Sequence, residues 1–93
     1  MANNDFSFKI VAHVGTVENY PTGWSKEVNI VSWNDGAPKL DIRDWDSEHE
    51  HMSRGITLTA DEMQRVIDSV QARDAIGMLK DMNRPARTND YER

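Results

Sequence analysis

The segment Lys39–Trp45 constrains this chain more than any other. Read with a period of two, Leu40 and Ile42 fall on one side, and Lys39, Asp41, Arg43 and Trp45 fall on the other. That alternation describes a strand with an aliphatic face and a face of two cations, a carboxylate and an indole. The aliphatic face needs a cover. A chain of 93 residues with 38% hydrophobic content and a mean hydropathy of −0.74 has apolar material for about one sheet layer and one covering helix. The absence of cysteine excludes disulfides and thiolate metal sites. No apolar run reaches the length of a membrane span, and Met1–Asp5 does not read as a signal peptide, so the expected compartment is cytoplasmic and no membrane partner is expected.

The flanking sequence supplies the rest of a sheet. Phe6, Phe8, Ile10, Ala12 and Val14 share one parity and predict a first strand over Phe6–Gly15, followed by a long hairpin loop over Gly15–Gly23. Trp24–Trp33 predicts a second strand, with Val28 and Ile30 inward. Its other side, Glu27, Asn29, Val31 and Trp33, is less polar than a solvated face should be, which suggests a bulge or a second packing surface. Asn34-Asp35-Gly36 is a short-hairpin signal leading into the Lys39–Trp45 strand. After a polar loop, Arg54–Leu58 predicts a fourth strand. Thr59-x-x-Glu62 is a capping box, and Met63, Val66, Ile67 and Val70 form a helical stripe expected to cover the aliphatic face. Ile76, Leu79 and Met82 continue a helix or start another, and Pro85 ends it. The expected fold is α+β: a four-stranded curved antiparallel sheet followed by a C-terminal helix, β-β-β-β-α. The expected domain is 5–72, with 73–93 an extension, part helical and disordered at its end.

No motif marks a nucleophile, a phosphate-binding glycine loop or a zinc helix. No catalytic residue and no cofactor is expected. His49-Glu50-His51 places two histidines close together, but a zinc site needs three or four ligands, so the segment reads as a solvated loop and no metal is expected. The cations Lys9, Lys26, Lys39, Arg43 and Arg54 lie among or beside the strands with Trp24 and Trp45. Flat side chains beside Lys and Arg are what base stacking and phosphate contact require. Trp33 reads as structural or as an interface residue, and for Arg43 the alternative is pairing with Asp41 or Asp44, which would orient it. The formal net charge of −5 opposes a phosphate-binding reading, although four of the acids fall within Asp44–Glu50.

Three segments in order, Lys39–Trp45 (Lys-Leu-Asp-Ile-Arg-Asp-Trp), Arg54–Thr59 (Arg-Gly-Ile-Thr-Leu-Thr) and the helix after them, resemble the positive cofactor 4 family of transcriptional coactivators. Gly23–Asn34 resembles the small bacterial YdbC-type branch of that family, which suggests a bacterial or phage source. The resemblance implies a homodimer whose helices pair, and sheets that bind single-stranded DNA, with RNA as the alternative, at little sequence preference. It places Arg43, Trp45 and Arg54 on contact positions. Trp24, Lys26, Lys39 and Lys9 join the candidate site by placement. The competing expectation is a protein-interaction module that keeps the fold.

Overall fold

The structure is a computed structural model and describes residues 6–85. Four strands, β1 (Phe8–Asn19), β2 (Ser25–Trp33), β3 (Lys39–Trp45) and β4 (Met52–Leu58), precede two helices, α1 (Ala60–Ala72) and α2 (Ala75–Met82). The strands form one antiparallel sheet in the order β1-β2-β3-β4. The chain divides into two compact units, Met1–Met63 and Gln64–Arg93, a boundary inside α1. Of the polar chain end from Arg84 onward that was expected to be disordered, residues 86–93 lie outside the described residues.

The β2–β3 turn is dictated by its sequence. Asn34 and Asp35 both take positive φ, 51° and 62°, and Gly36 N donates to Trp33 O at 2.8 Å. Paired positive φ values are the mark of a tight turn whose twist matches the flanking strands. The β1–β2 connection is shorter than the expected Gly15–Gly23 loop, because β1 runs on to Asn19. It closes with Tyr20 N donating to Trp24 O at 2.8 Å.

β1 also departs from simple alternation. Its pairing with β2 shifts three times, between Ile10 and Ala12, His13 and Gly15, and Thr16 and Glu18. The inserted residues are Val11, Val14 and Val17, all exposed. Each bulge reverses the parity of the strand residues beyond it. Phe8, Ile10, His13 and Thr16 therefore share a face with Trp33, Val31, Asn29 and Glu27, while Ala12 turns to the other side with Ile30. The continuous apolar face expected from Phe6 to Val14 is split for this reason.

Burial is the reverse of the sequence expectation. The fully enclosed side chains are Val31, Trp45, Asn29 and Asp41, all on the face that pairs Asn29 with Asp41 and Glu27 with Arg43. On the aliphatic face, Val28, Ile30, Leu40 and Ile42 are half-buried and Ile56 is exposed. In the helices no residue is buried, and the stripe on α1 is open at Val66 and Ile67, 42% and 38% exposed. The capping box forms as expected: Thr59 N donates to Glu62 Oε1 at 2.8 Å, and Glu62 N donates to Thr59 Oγ1 at 3.1 Å. Asp74, at φ 49°, breaks the helix and caps α2, its carboxylate accepting from Gly77 N at 3.2 Å. A Cβ at position 77 would strike that carboxylate, so Gly77 is what permits the cap.

Candidate nucleic-acid interface

The enclosed face is organised by two carboxylates. Asp41, with no exposed surface, accepts from Arg43 Nε at 2.6 Å and Nη2 at 2.7 Å, and from Thr57 Oγ1 at 3.1 Å. The guanidinium also donates to Ser53 O at 3.3 Å and lies 4.5 Å over the Trp33 ring. Only 13% of the Arg43 side chain remains exposed. Gly55 sits opposite Arg43, and a Cβ there would collide with the Arg43 side chain and with Ile42 O. Gly55 of β4 is thereby explained: it leaves Arg43 of β3 room to reach Asp41.

Glu27 is the second centre. Ser25 Oγ donates to its Oε2 at 2.6 Å, Asn29 Nδ2 to its Oε1 at 3.1 Å, and His49 Nε2 to both oxygens at 3.0 Å. Burial raises the Glu27 carboxyl, but the hydrogen bonds from Ser25, Asn29 and His49 outweigh it, and the net displacement is below the usual carboxylate value. Because the Asn29 amide nitrogen is directed at Glu27, its oxygen faces His13, whose Nδ1 donates to it at 2.7 Å. Ile10, His13, Thr16, Glu27, Asn29 and His49 line a cavity of about 410 Å³.

His49 reaches this network because the β3–β4 loop folds around Asp46. Asp46 Oδ1 accepts from Glu50 N at 2.9 Å and His51 N at 3.1 Å, and its Oδ2 accepts from His51 Nδ1 at 2.8 Å. The hydrogen bond from His51 chiefly lowers the Asp46 carboxyl to about 2, and the same contact raises His51. His49, at φ 57°, is turned inward, its ring 5.6 Å from that of Trp45. Trp45 also meets Phe8 at 5.2 Å and is fully buried, with no hydrogen-bond partner for its Nε1 among the described residues. Among the described residues no cluster of three His, Asp or Glu side chains is arranged to hold a metal.

The sequence-derived candidates do not form one patch. Lys39, Arg43 and Trp45 share the enclosed face by register, while Lys9 and Lys26 take the opposite parity, facing Ser32 and Asp44. Lys9, Lys26, Lys39 and Arg54 are exposed and form no ion pair among the described residues. Trp24 lines an open cavity of about 620 Å³ with Tyr20, Pro21, Thr22 and Asp44. Arg43 and Trp45 differ from expectation: one is neutralised by Asp41 and the other is enclosed, because this face rather than the aliphatic one is the more deeply buried.

The family model for transcriptional coactivator p15 (PC4) matches residues 20–69. The chain belongs to the positive cofactor 4 family. A Treponema pallidum (strain Nichols) protein described as uncharacterized is 35% identical over 68 residues, 73% of this chain and 80% of that one. In positive cofactor 4 terms, the matched stretch takes in the Tyr20–Trp24 loop, β2, β3, β4 and most of α1, and leaves out α2. Within it, the sequence did not mark Tyr20, Glu27 and Asn29 as site residues, and His49, weighed as one of a pair of metal ligands, read as part of a solvated loop. The unexpectedly apolar parity of Glu27–Trp33 was the available signal for Glu27 and Asn29. Tyr20, four residues before Trp24 in a turn-forming stretch, offered another. His49 offered none, because its inward position depends on the Asp46 turn.

Proposed function

We propose that this protein is a non-enzymatic binder of single-stranded DNA that acts as a homodimer in transcription regulation or DNA maintenance. Membership in a family of transcriptional coactivators carries this reading. The Tyr20–Trp24 cavity supplies aromatic surface accessible from solvent, and stacking on such surface contributes about 1–3 kcal/mol per base. Lys26 beside it, with Lys9, Lys39 and Arg54, supplies exposed cations that form no ion pair among the described residues. Arg43 and Trp45 act here as positioning residues that hold β3 to β2 and β4. Exposed Val66 and Ile67 on α1, and Ile76, Leu79 and Met82 on α2, supply apolar surface for self-association.

The test is fluorescence anisotropy with labelled dT, U and duplex strands across a salt series, with light scattering for the oligomeric state. The expected result is preference for dT over duplex and a log–log salt slope of about −0.7 per neutralised phosphate. Replacing Lys26 and Lys39 with alanine should flatten that slope without changing the fold. Salt-independent affinity, or none, would refute the reading. The net charge of −5 and the neutralised Arg43 favour a second reading, a protein-interaction module. Capture of one protein partner unaffected by nuclease, with no affinity for any strand, would select it.

A further inference from the structure

Within the sheet, an indole and a carboxylate together hold a guanidinium. Arg43 lies 4.5 Å over the Trp33 ring and donates to Asp41 at 2.6 and 2.7 Å. An indole and a carboxylate meet again at the β1–β2 turn. There Trp24 and Asp44, with Tyr20, Pro21 and Thr22, line the open cavity of about 620 Å³. Tyr20 and Trp24 are half-buried. Neither makes a ring contact among the described residues, in contrast to Phe6, Phe8, Trp33 and Trp45. The turn is already set: Tyr20 N donates to Trp24 O at 2.8 Å and Gly23 N to Tyr20 O at 3.0 Å, with Gly23 at φ 94°. Asp44 Oδ1 accepts from the Tyr20 hydroxyl at 3.3 Å, and its carboxylate has no other partner among the described residues. Lys26 faces Asp44 in the ladder but forms no ion pair with it.

We propose that Tyr20, Trp24 and Asp44 form a cage for an arginine side chain presented by a basic segment of a partner protein. This goes beyond the strand reading and does not depend on it; the rings serve a base or a guanidinium, one at a time. Of the residues lining the cavity, Asp44 alone is charged, so a cation is attracted there and a phosphate repelled. Aromatic faces hold cations that shed water readily. A guanidinium is planar and weakly hydrated, and it can lie on a ring while its N–H groups reach a carboxylate. A lysine ammonium is compact and strongly hydrated, which makes it the poorer ligand. The net charge of −5 favours a basic partner at long range. Because the turn is preformed, the cage needs little ordering on binding.

The experiment titrates the full, nitrogen-15-labelled chain with N-acetyl-arginine amide, and with N-acetyl-citrulline amide as the neutral isostere. The indole N–H resonances of the three tryptophans are followed by NMR. The Trp24 resonance should move with arginine, while those of Trp33 and Trp45, whose Nε1 atoms are buried, should stay in place. Citrulline should bind about tenfold more weakly than arginine. Asp44→Asn should weaken arginine binding about tenfold, and circular dichroism reports whether that variant is folded. Lys26→Ala removes a neighbouring positive charge and should tighten arginine binding about twofold, whereas the strand reading has it weaken dT binding. A Trp24 resonance that does not move, equal responses to arginine and citrulline, or full affinity in folded Asp44→Asn would overturn the cage. A chain that binds dT and ignores arginine loses the cage alone; one that binds arginine and no strand loses the strand reading alone.

Discussion

Replacing Arg43 with alanine should damage the fold before it affects any ligand. Asp41 is wholly buried, and apart from Arg43 its side chain has one partner among the described residues, Thr57 Oγ1 at 3.1 Å. Removal of the guanidinium leaves a carboxylate in the interior with a single hydroxyl. Breaking one side of a buried ion pair costs about 3–5 kcal/mol, and loss of the cation over Trp33 adds about 0.5–2 kcal/mol. Set against a typical total stability of about 5–15 kcal/mol, this is a large fraction. For a urea slope of about 2 kcal/mol per molar, the midpoint should fall by about 2–3 M. The assay is urea unfolding followed by tryptophan fluorescence at one fixed protein concentration, since self-association would otherwise shift the midpoint. The paired replacement Asp41→Leu with Arg43→Met removes both charges and should recover most of the loss. An unchanged midpoint for Arg43→Ala, or losses in the pair that simply add, would refute the account of Asp41 as an uncompensated charge.

Gly55→Ala should destabilise by about 1–3 kcal/mol through collision with Arg43 and the backbone of Ile42, read as a lowered melting temperature. Thr59→Ala removes half of the capping box and should cost about 0.5–2 kcal/mol in the same measurement. The Asp46–His51 contact should be strongest between about pH 4 and 6.5. Asp46 is depressed, so its contribution is present above the ordinary value of 3.8 and is lost as pH falls towards about 2. His51 is raised, so its contribution is full below the ordinary value of 6.5 and is lost as pH rises through its higher folded value. In an NMR titration, Asp46→Asn should return the His51 midpoint towards 6.5; an unmoved midpoint would contradict the assignment.

The strands and the first helix were legible because they rest on short-range rules. Period-two alternation gave β3, the Asn34-Asp35-Gly36 turn joined it to β2, and Thr59 with Glu62 marked the start of α1. The interior was not legible. Alternation separates two faces without saying which is enclosed, and apolar content pointed to Leu40 and Ile42 rather than to Asp41 and Trp45. The enclosed face holds polar groups that are tolerable only as mutual partners, Asp41 with Arg43 and Glu27 with Asn29 and His49. Those pairings cross strands and a loop, so no local window contains them. The β1 bulges were hidden for a related reason: each inserted residue is a valine, which looks like ordinary strand sequence on either face.

Those bulges also bear on how the sheet meets other chains. β1 lies at one edge of the sheet and is 12 residues long, with Val11, Val14 and Val17 exposed along it. A straight edge of that length would be a template on which a stray strand could zip into place. Here the backbone slips after every two or three paired residues. An incoming strand would match the spacing of donors and acceptors only briefly before losing step, so the longest strand in the molecule resists templated aggregation despite the valines it displays.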